Sequence, residues 1–325
     1  MLKYLIIQLA NRSVSFCHYN IAMESEEGLL KLMPLNILKE AIKWTMKENL
    51  IVQVLYPDYV LPPEYKAIID EIDHVNIVPS NSMDKFLLDH SDIIVFNSVT
   101  ETLDFSFKEK GIYVLKGTYY DFINNEDVLE KILSKVARLN FVLTNIPLLK
   151  RDFENMYIKF LDRLSDKIVE EYRKKHFVQV NILTDRIMLD KMNNCNAGIE
   201  HITLAPDSNF YICPAFYVNE MLSGKCGNLQ NGVDMKNNNL YKLSYAPICR
   251  TCDAYQCNRC VWLSKTLTLE VNTPGKQQCI TSHLERNASM KLLAKIRELG
   301  EFMPQNDIPE IDYLDPFEKI IKNKY

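Results

Sequence analysis

Eight of the nine cysteines of this chain lie between residues 195 and 279, and two Cys-x-x-Cys pairs among them stand four residues apart. They are Cys195, Cys213, Cys226, Cys249, Cys252, Cys257, Cys260 and Cys279. Thiolates are preferred ligands of zinc and of the iron in iron–sulfur clusters, and each such centre takes four of them. The eight cysteines therefore predict two complete four-thiolate metal centres.

The bulk composition excludes several classes of function. The chain has 325 residues, is 47% hydrophobic and carries a formal net charge of −4. This length permits a well-buried core and favours two structural parts. The acidic balance gives no basic surface for DNA or RNA, so no nucleic-acid partner is expected. Neither a GxGxxG nor a GxxxxGK[ST] motif occurs, and no nucleotide-binding loop is predicted.

The N-terminus predicts a cytoplasmic protein with no membrane partner. Its apolar run ends at Leu9, too short for a signal peptide, and no run approaches the length of a membrane span. The cytoplasm is reducing, which disfavours disulfides and favours metal ligation by the cysteines. Structural zinc remains an alternative to iron–sulfur clusters, because Cys-x2-Cys pairs are equally common in zinc sites. The histidines His201 and His283 are expected to be ordinary, although either could replace a thiolate.

The elements that must position the cysteines follow an alternating pattern. Most predicted strands are continuously apolar, which is typical of parallel strands covered on both faces. They are Leu5–Leu9, Ile51–Leu55, Val75–Val78, Ile93–Phe96, Ile112–Leu115, Phe141–Leu143 and Phe177–Leu183. Apolar stripes at helical spacing predict the helices. These are Leu35–Glu48, Asn125–Leu139, Phe153–Lys174 and Leu284–Gly300. The alternation indicates an α/β layer, either an open sheet or a partial barrel.

The cysteine region begins with a predicted β-hairpin around Pro206–Asn209. The order of its cysteines resembles the SPASM domain, the C-terminal extension of radical S-adenosylmethionine enzymes that modify peptides. Here a twelve-residue gap separates Cys195 from Ser208-x4-Cys213, and Cys249-x2-Cys252-x4-Cys257-x2-Cys260 and then Cys279 follow. Ser208 replaces the glycine of that pattern, and the last two spacings are one residue shorter.

This resemblance implies two 4Fe–4S clusters with crossed ligation. One set comprises Cys195, Cys213 and Cys260, with Cys226 as the plausible fourth ligand, and we name it the first set. The other comprises Cys249, Cys252, Cys257 and Cys279, and we name it the second set. Cys260 thus leaves its sequence neighbours, and the four nearest cysteines are not expected to bind one metal centre.

The N-terminal region lacks the motif of conventional radical chemistry. In that superfamily three cysteines, spaced Cys-x3-Cys-x2-Cys after the first strand, hold the cluster that cleaves S-adenosylmethionine. Only Cys17 occurs at this place, so conventional cleavage and a bound S-adenosylmethionine are not expected. Catalytic residues are therefore not assigned, and whether the chain is an enzyme is left open.

The whole chain resembles the CXXX repeat peptide maturases, which are radical-SAM/SPASM-like proteins without the N-terminal cysteine triad. The features that carry the resemblance are Ser15–Tyr19, Cys252–Leu263 and Glu270–Cys279. It implies maturation of a ribosomally made Cys-rich peptide (RiPP biosynthesis), with that precursor peptide as partner. The chain would act either as a SPASM-like iron–sulfur maturase or as the substrate-binding partner of an active radical SAM enzyme. The alternative function is a non-catalytic binding module with structural zinc or iron–sulfur sites.

The fold class implied is α/β, a degenerate radical-SAM-like partial (β/α) barrel followed by a Cys-rich SPASM-like α+β domain. The predicted domains are 1–190 for the degenerate barrel, 191–300 for the SPASM-like iron–sulfur domain and 301–325 for an irregular C-terminal tail. The best boundary in the sequence lies at Asp185–Asn194.

Overall fold

The computed structural model describes residues 2–19, 31–149, 153–189, 193–252, 257–303 and 305–317. Its strands, in chain order, are β1 Tyr4–Gln8, β2 Ile51–Leu55, β3 His74–Pro79, β4 Ile93–Phe96, β5 Ile112–Gly117, β6 Arg138–Leu143, β7 Gln179–Val180, β8 Asn193–Asn194, β9 His201–Leu204, β10 Asn209–Tyr211, β11 Lys225–Asn228, β12 Gly232–Val233 and β13 Asn258–Arg259. Its α-helices are α1 Leu35–Glu48, α2 Pro63–Ile69, α3 Lys85–Asp89, α4 Tyr119–Asn124, α5 Glu126–Leu133, α6 Phe153–Arg173, α7 Thr184–Ile187, α8 Pro214–Val218, α9 Val261–Thr268 and α10 Lys276–Arg297.

The chain divides into two compact units, each made of two segments. The first unit comprises Met1–Phe96 and Asn196–Lys242, and the second comprises Asn97–Cys195 and Leu243–Tyr325. Each compact unit combines two separate segments, whereas each predicted domain is one continuous range of residues. The predicted domain limits therefore stay a prediction.

The first unit contains a mixed sheet in the order β12-β11-β10-β9-β1-β2-β3-β4. The strands from β9 to β4 in this order are parallel, whereas β10, β11 and β12 pair antiparallel with their neighbours. Parallel neighbours need crossover connections, and α1, α2 and α3 lie between the first four strands of the chain. The predicted hairpin around Pro206–Asn209 is confirmed by the antiparallel pairing of β9 with β10.

The second unit contains the parallel strands β5, β6 and β7, and the long helices α6 and α10. The stripe predicted on α6 is buried, including Tyr157, Phe160 and Ile168. A separate parallel pair joins β8 to β13. In that pair Asn194, the residue before Cys195, is opposite Arg259, the residue before Cys260.

The three largest differences between predicted and observed limits concern β7, α5 and α10. Strand β7 occupies only two residues of Phe177–Leu183, because the Thr184 hydroxyl bonds to both the N–H and the C=O of Val180. Helix α5 ends at Leu133 rather than Leu139, since the chain from Arg138 pairs with β5 and β7. Helix α10 begins at Lys276, eight residues before the predicted start at Leu284.

The described part of the tail from Glu301 contains no strand, and only its last two residues, Pro316 and Phe317, are helical. It nevertheless contributes buried side chains, among them Ile308 and Tyr313. Within the described residues, no helix has both the length and the apolar character needed to cross a lipid bilayer.

Ser208, which replaces the glycine of the SPASM pattern, has a φ of 68°. This left-handed conformation strains any residue with a Cβ atom and suits glycine. We expect Ser208→Gly to raise the free energy of unfolding by about 0.5–1 kcal/mol, measured by chemical denaturation. Ser208→Ala keeps the Cβ atom and should give no such gain. Equal effects of the two substitutions would contradict this explanation.

Candidate metal centres

The structure gathers the four cysteines of the second set inside the second unit. Cys249 lies on a one-turn 3-10 helix that Cys252 follows, Cys257 directly precedes β13, and Cys279 lies in the first turns of α10. Burial raises the pKa of the Cys279 thiol, and the charges of Cys257, Cys249, Asp315 and Cys252 raise it further. The Cys279 sulfur is therefore within electrostatic range of the other three.

In this environment the cysteines of the second set are disfavoured as thiolates unless a metal is bound. Burial raises the pKa of Cys249 to about 12, with further contributions from Cys257 and Cys252. Four thiols that share one region, two of them buried and two half-buried, repel one another once they are deprotonated. A metal centre supplies the positive charge that offsets this repulsion, and its ligands are thiolates. The donor set thus has the chemistry of a thiolate-ligated centre.

Helix α10 presents a polar face to these cysteines. Burial raises the pKa of Cys257, to which the Ser282 hydroxyl hydrogen-bonds. His283 is buried, and its Nε2 atom lies 3.9 Å from Cys252 Sγ. The phenol oxygen of Tyr313 lies 4.0 Å from the same sulfur. Cys279, Ser282 and His283 stand three and four residues apart, so they lie on one side of the helix.

Cys260 stands beside Cys195. The parallel pairing of β8 with β13 places these two cysteines directly after paired residues. The backbone N–H of Cys195 donates to the Arg259 carbonyl at 3.4 Å. Burial raises the pKa of Cys260 to about 12, and the charge of Cys195 raises it further. The Cys260 sulfur also accepts a hydrogen bond from the Leu263 N–H at 3.4 Å, at the start of α9.

The remaining cysteines of the first set, Cys213 and Cys226, belong to the first unit. Cys213 is the residue before α8, and Cys226 is buried on β11. Burial raises the pKa of Cys226 to about 12. The hydroxyl of Tyr241 is within electrostatic range of both sulfurs, since each contributes to the raised pKa of that tyrosine after burial.

Cys17 lies in the same unit, after β1. Tyr19 is buried, and the Ser15 hydroxyl donates to its carbonyl at 2.6 Å. Burial raises the pKa of Tyr19 well above its ordinary value, and the charges of Cys17 and Cys213 add to this. The single cysteine of the N-terminal loop is thus within range of the same phenol as one cysteine of the first set.

Arg259 is a buried cation beside both cysteine groups of the second unit. It is 1% exposed, and its Nη2 atom donates to the Val271 carbonyl at 2.8 Å. Within the part of the chain that the structure describes, its Nε and Nη1 atoms have no hydrogen-bond partner. Its charge lowers the pKa of Cys249 and of Cys260, against the larger effect of burial. A buried guanidinium with two unpartnered nitrogen atoms requires a nearby anion, and a thiolate-ligated cluster is one.

Among the described residues, no three His, Cys, Asp or Glu side chains are already arranged around a single metal ion. Ligands of one zinc ion converge on one point, whereas a 4Fe–4S cluster takes one thiolate on each iron and needs wider spacing. The assignment of the eight cysteines as ligands stays a prediction.

Of two further residues in this region, Arg259 has no role in the predictions made from the sequence, whereas His283 was expected to be ordinary, although able to replace a thiolate. Arg259 carries the one charge between Cys257 and Cys260, which is a signal that the sequence offers. His283 follows Cys279 by four residues, a spacing that places both on one side of a helix. The apolar pattern hides that second signal, because it predicts a helix that begins only at Leu284.

Neither the protein-family models nor the curated protein sequences contain a match to the chain. Solved structures do resemble it. One is native anSMEcpe with bound AdoMet and Cp18Cys peptide, with a TM-score of 0.61 and 12% identity, covering 92% of this chain and 100% of that one. Another is a histidine-tagged form of anSMEcpe with bound AdoMet, with a TM-score of 0.62 and 13% identity, covering 90% of this chain and 98% of that one.

At this identity the likeness shows the fold. It confirms the coarser part of the fold prediction, an α/β chain with a parallel sheet, whose fold is similar to that of anSMEcpe. The closure into a partial barrel and the SPASM-like character of the cysteine region stay predictions.

Proposed function

We propose that this protein takes part in the maturation of a ribosomally made, cysteine-rich peptide of the CXXX repeat type. The observation that carries the proposal is the gathering of the second set in a chain with this fold. The structurally similar anSMEcpe binds AdoMet and a peptide, which supports a peptide as the partner of this chain as well.

The proposed cofactors are two 4Fe–4S clusters. The second set would hold one of them, and the pairing of Cys195 with Cys260 supports a separate centre for the first set. Such clusters supply electron transfer. Arg259 would lie near the anionic charge of the clusters, where its two unpartnered nitrogen atoms gain a counter-charge.

The protein is not proposed to cleave S-adenosylmethionine by itself. Three cysteines are needed to hold a cluster with one open iron, and the N-terminal region has only Cys17. Two roles are then consistent with the chain. It modifies the peptide through its clusters, or it binds the peptide for an active radical SAM enzyme.

The proposed location is the cytoplasm, where the thiols stay reduced.

Mass spectrometry of a co-expressed peptide with Cys-x-x-x repeats tests this function. The peptide should change in mass when this protein is present, either alone or together with an active radical SAM enzyme. The same expression with Cys257→Ala/Cys279→Ala is the matched control, and it should leave the peptide unmodified. A mass change that occurs equally without this protein would contradict the proposal.

A binding module with structural zinc is the outcome that competes with this function. In that case the purified chain contains zinc and no sulfide, and the peptide binds without any change in mass. Binding of the peptide, measured by titration calorimetry with the wild-type protein, then separates a peptide-binding module from a protein with no peptide partner.

A further inference from the structure

His283 stands at the second set but is not one of its four cysteines. It lies on α10, four residues after Cys279, and is 3% exposed. A buried imidazole needs partners for both ring nitrogens. Nδ1 contacts a carbonyl oxygen and Nε2 contacts a cysteine sulfur. These two contacts determine which ring nitrogen carries the proton.

The position of the ring proton follows from the contact of Nδ1. This atom lies 3.0 Å from the carbonyl oxygen of Tyr313. A carbonyl only accepts hydrogen bonds, so Nδ1 carries the proton and the neutral ring presents the lone pair of Nε2. Histidines that bind metals are held in this way, with one ring N–H on a carbonyl and the other nitrogen on the metal.

The lone pair of Nε2 is directed into the second set. Its distance from Cys252 Sγ is 3.9 Å. With metal–sulfur and metal–nitrogen bonds of about 2.3 and 2.0 Å, two ligands of one tetrahedral metal atom stand about 3.5 Å apart. The pair is therefore spaced to bind the same metal atom, after a shift of a few tenths of an ångström.

We propose that His283 is an additional ligand of the second set, and that Nε2 binds the metal atom assigned to Cys252 when that thiolate is absent. This inference rests on the iron–sulfur centre proposed above. The second set then has five protein donors for four metal atoms, and Cys252 is the cysteine that the centre can lose.

The test compares single cysteine variants purified without oxygen. Cys252→Ala should keep about eight irons per chain, whereas Cys257→Ala should fall to about four. Cys252→Ala/His283→Ala should also fall to about four, and His283→Ala alone should keep about eight. If the alanine variant is unstable, Cys252→Val has a volume closer to that of cysteine and carries the same expectation.

Pulsed electron paramagnetic resonance gives a second, independent measurement. Cys252→Ala protein made with ¹⁵N-histidine should show a nitrogen coupling to the reduced centre, and the double variant should not. Iron loss in Cys252→Ala equal to that in Cys257→Ala would overturn the inference. Full iron without a histidine coupling would overturn it too. A wild-type protein without iron and sulfide would instead refute the centre on which the inference rests.

Discussion

Cys257→Ala/Cys279→Ala is expected to remove one whole metal centre, so that iron falls from about eight to about four per chain. Both residues belong to the second set, in which Cys279 is within electrostatic range of the other three cysteines. A four-iron cluster that loses two thiolates has two irons without protein ligands. Iron and sulfide analysis of the anaerobically purified variant measures the loss.

The crossed ligation predicts that Cys195→Ala/Cys260→Ala removes the other centre and leaves the second set loaded. The remaining clusters of the two variants should have different paramagnetic resonance spectra. Cys17→Ala is the control that changes a cysteine outside both sets and should retain about eight irons. If Cys260→Ala removes the same spectrum as Cys257→Ala/Cys279→Ala, the four nearest cysteines share one centre and the partition is wrong.

Glu285→Ala is expected to lower the free energy of unfolding by about 3–5 kcal/mol. Glu285 on α10 forms an ion pair with Arg186 of α7, and each is 5% exposed. The fully buried Tyr157 of α6 donates a hydrogen bond to the same carboxylate at 2.8 Å. Removal of the carboxylate leaves a buried guanidinium without the partner that offsets its desolvation. Denaturation of the variant and the wild type, monitored by circular dichroism, measures the difference.

An exposed ion pair between the same two long helices provides the matched control. Lys295 of α10 lies 2.6 Å from Asp166 of α6, with side chains 35% and 63% exposed. Lys295→Ala should cost only about 0–1 kcal/mol, because solvent screens this pair. Arg186→Met/Glu285→Leu should recover most of the stability lost in Glu285→Ala, since no charge is left unpaired. A cost for Glu285→Ala no larger than that of Lys295→Ala would contradict the buried network.

Apolar patterns predicted the elements that carry apolar cores. Strands β2 and β4 and helix α1 have the predicted limits, and α6 is one residue shorter than predicted. In these elements most of the buried residues are aliphatic or aromatic, so the period of the sequence reflects the packing.

The beginning of α10 could not be predicted in this way. Its first two turns are buried, yet their side chains are mostly polar, including Gln278, Thr281 and Ser282. No apolar stripe marks such a helix, because it packs against the cysteine region. Arg259 was missed, and His283 was expected to be ordinary, for the same reason, since their burial depends on three-dimensional neighbours.

The cysteine order in the sequence was more informative than any local pattern. It predicted that Cys260 would stand apart from the second set and beside Cys195. In the structure, the β8–β13 pair places Cys195 next to Cys260. The ligand assignments themselves still depend on metal analysis.

Metal analysis of the wild-type chain, purified without oxygen, tests the central claim of two iron–sulfur centres most directly. We predict about eight irons and about eight sulfides per chain. About two zinc ions per chain with no sulfide would contradict that claim, and would assign the cysteines to a structural role.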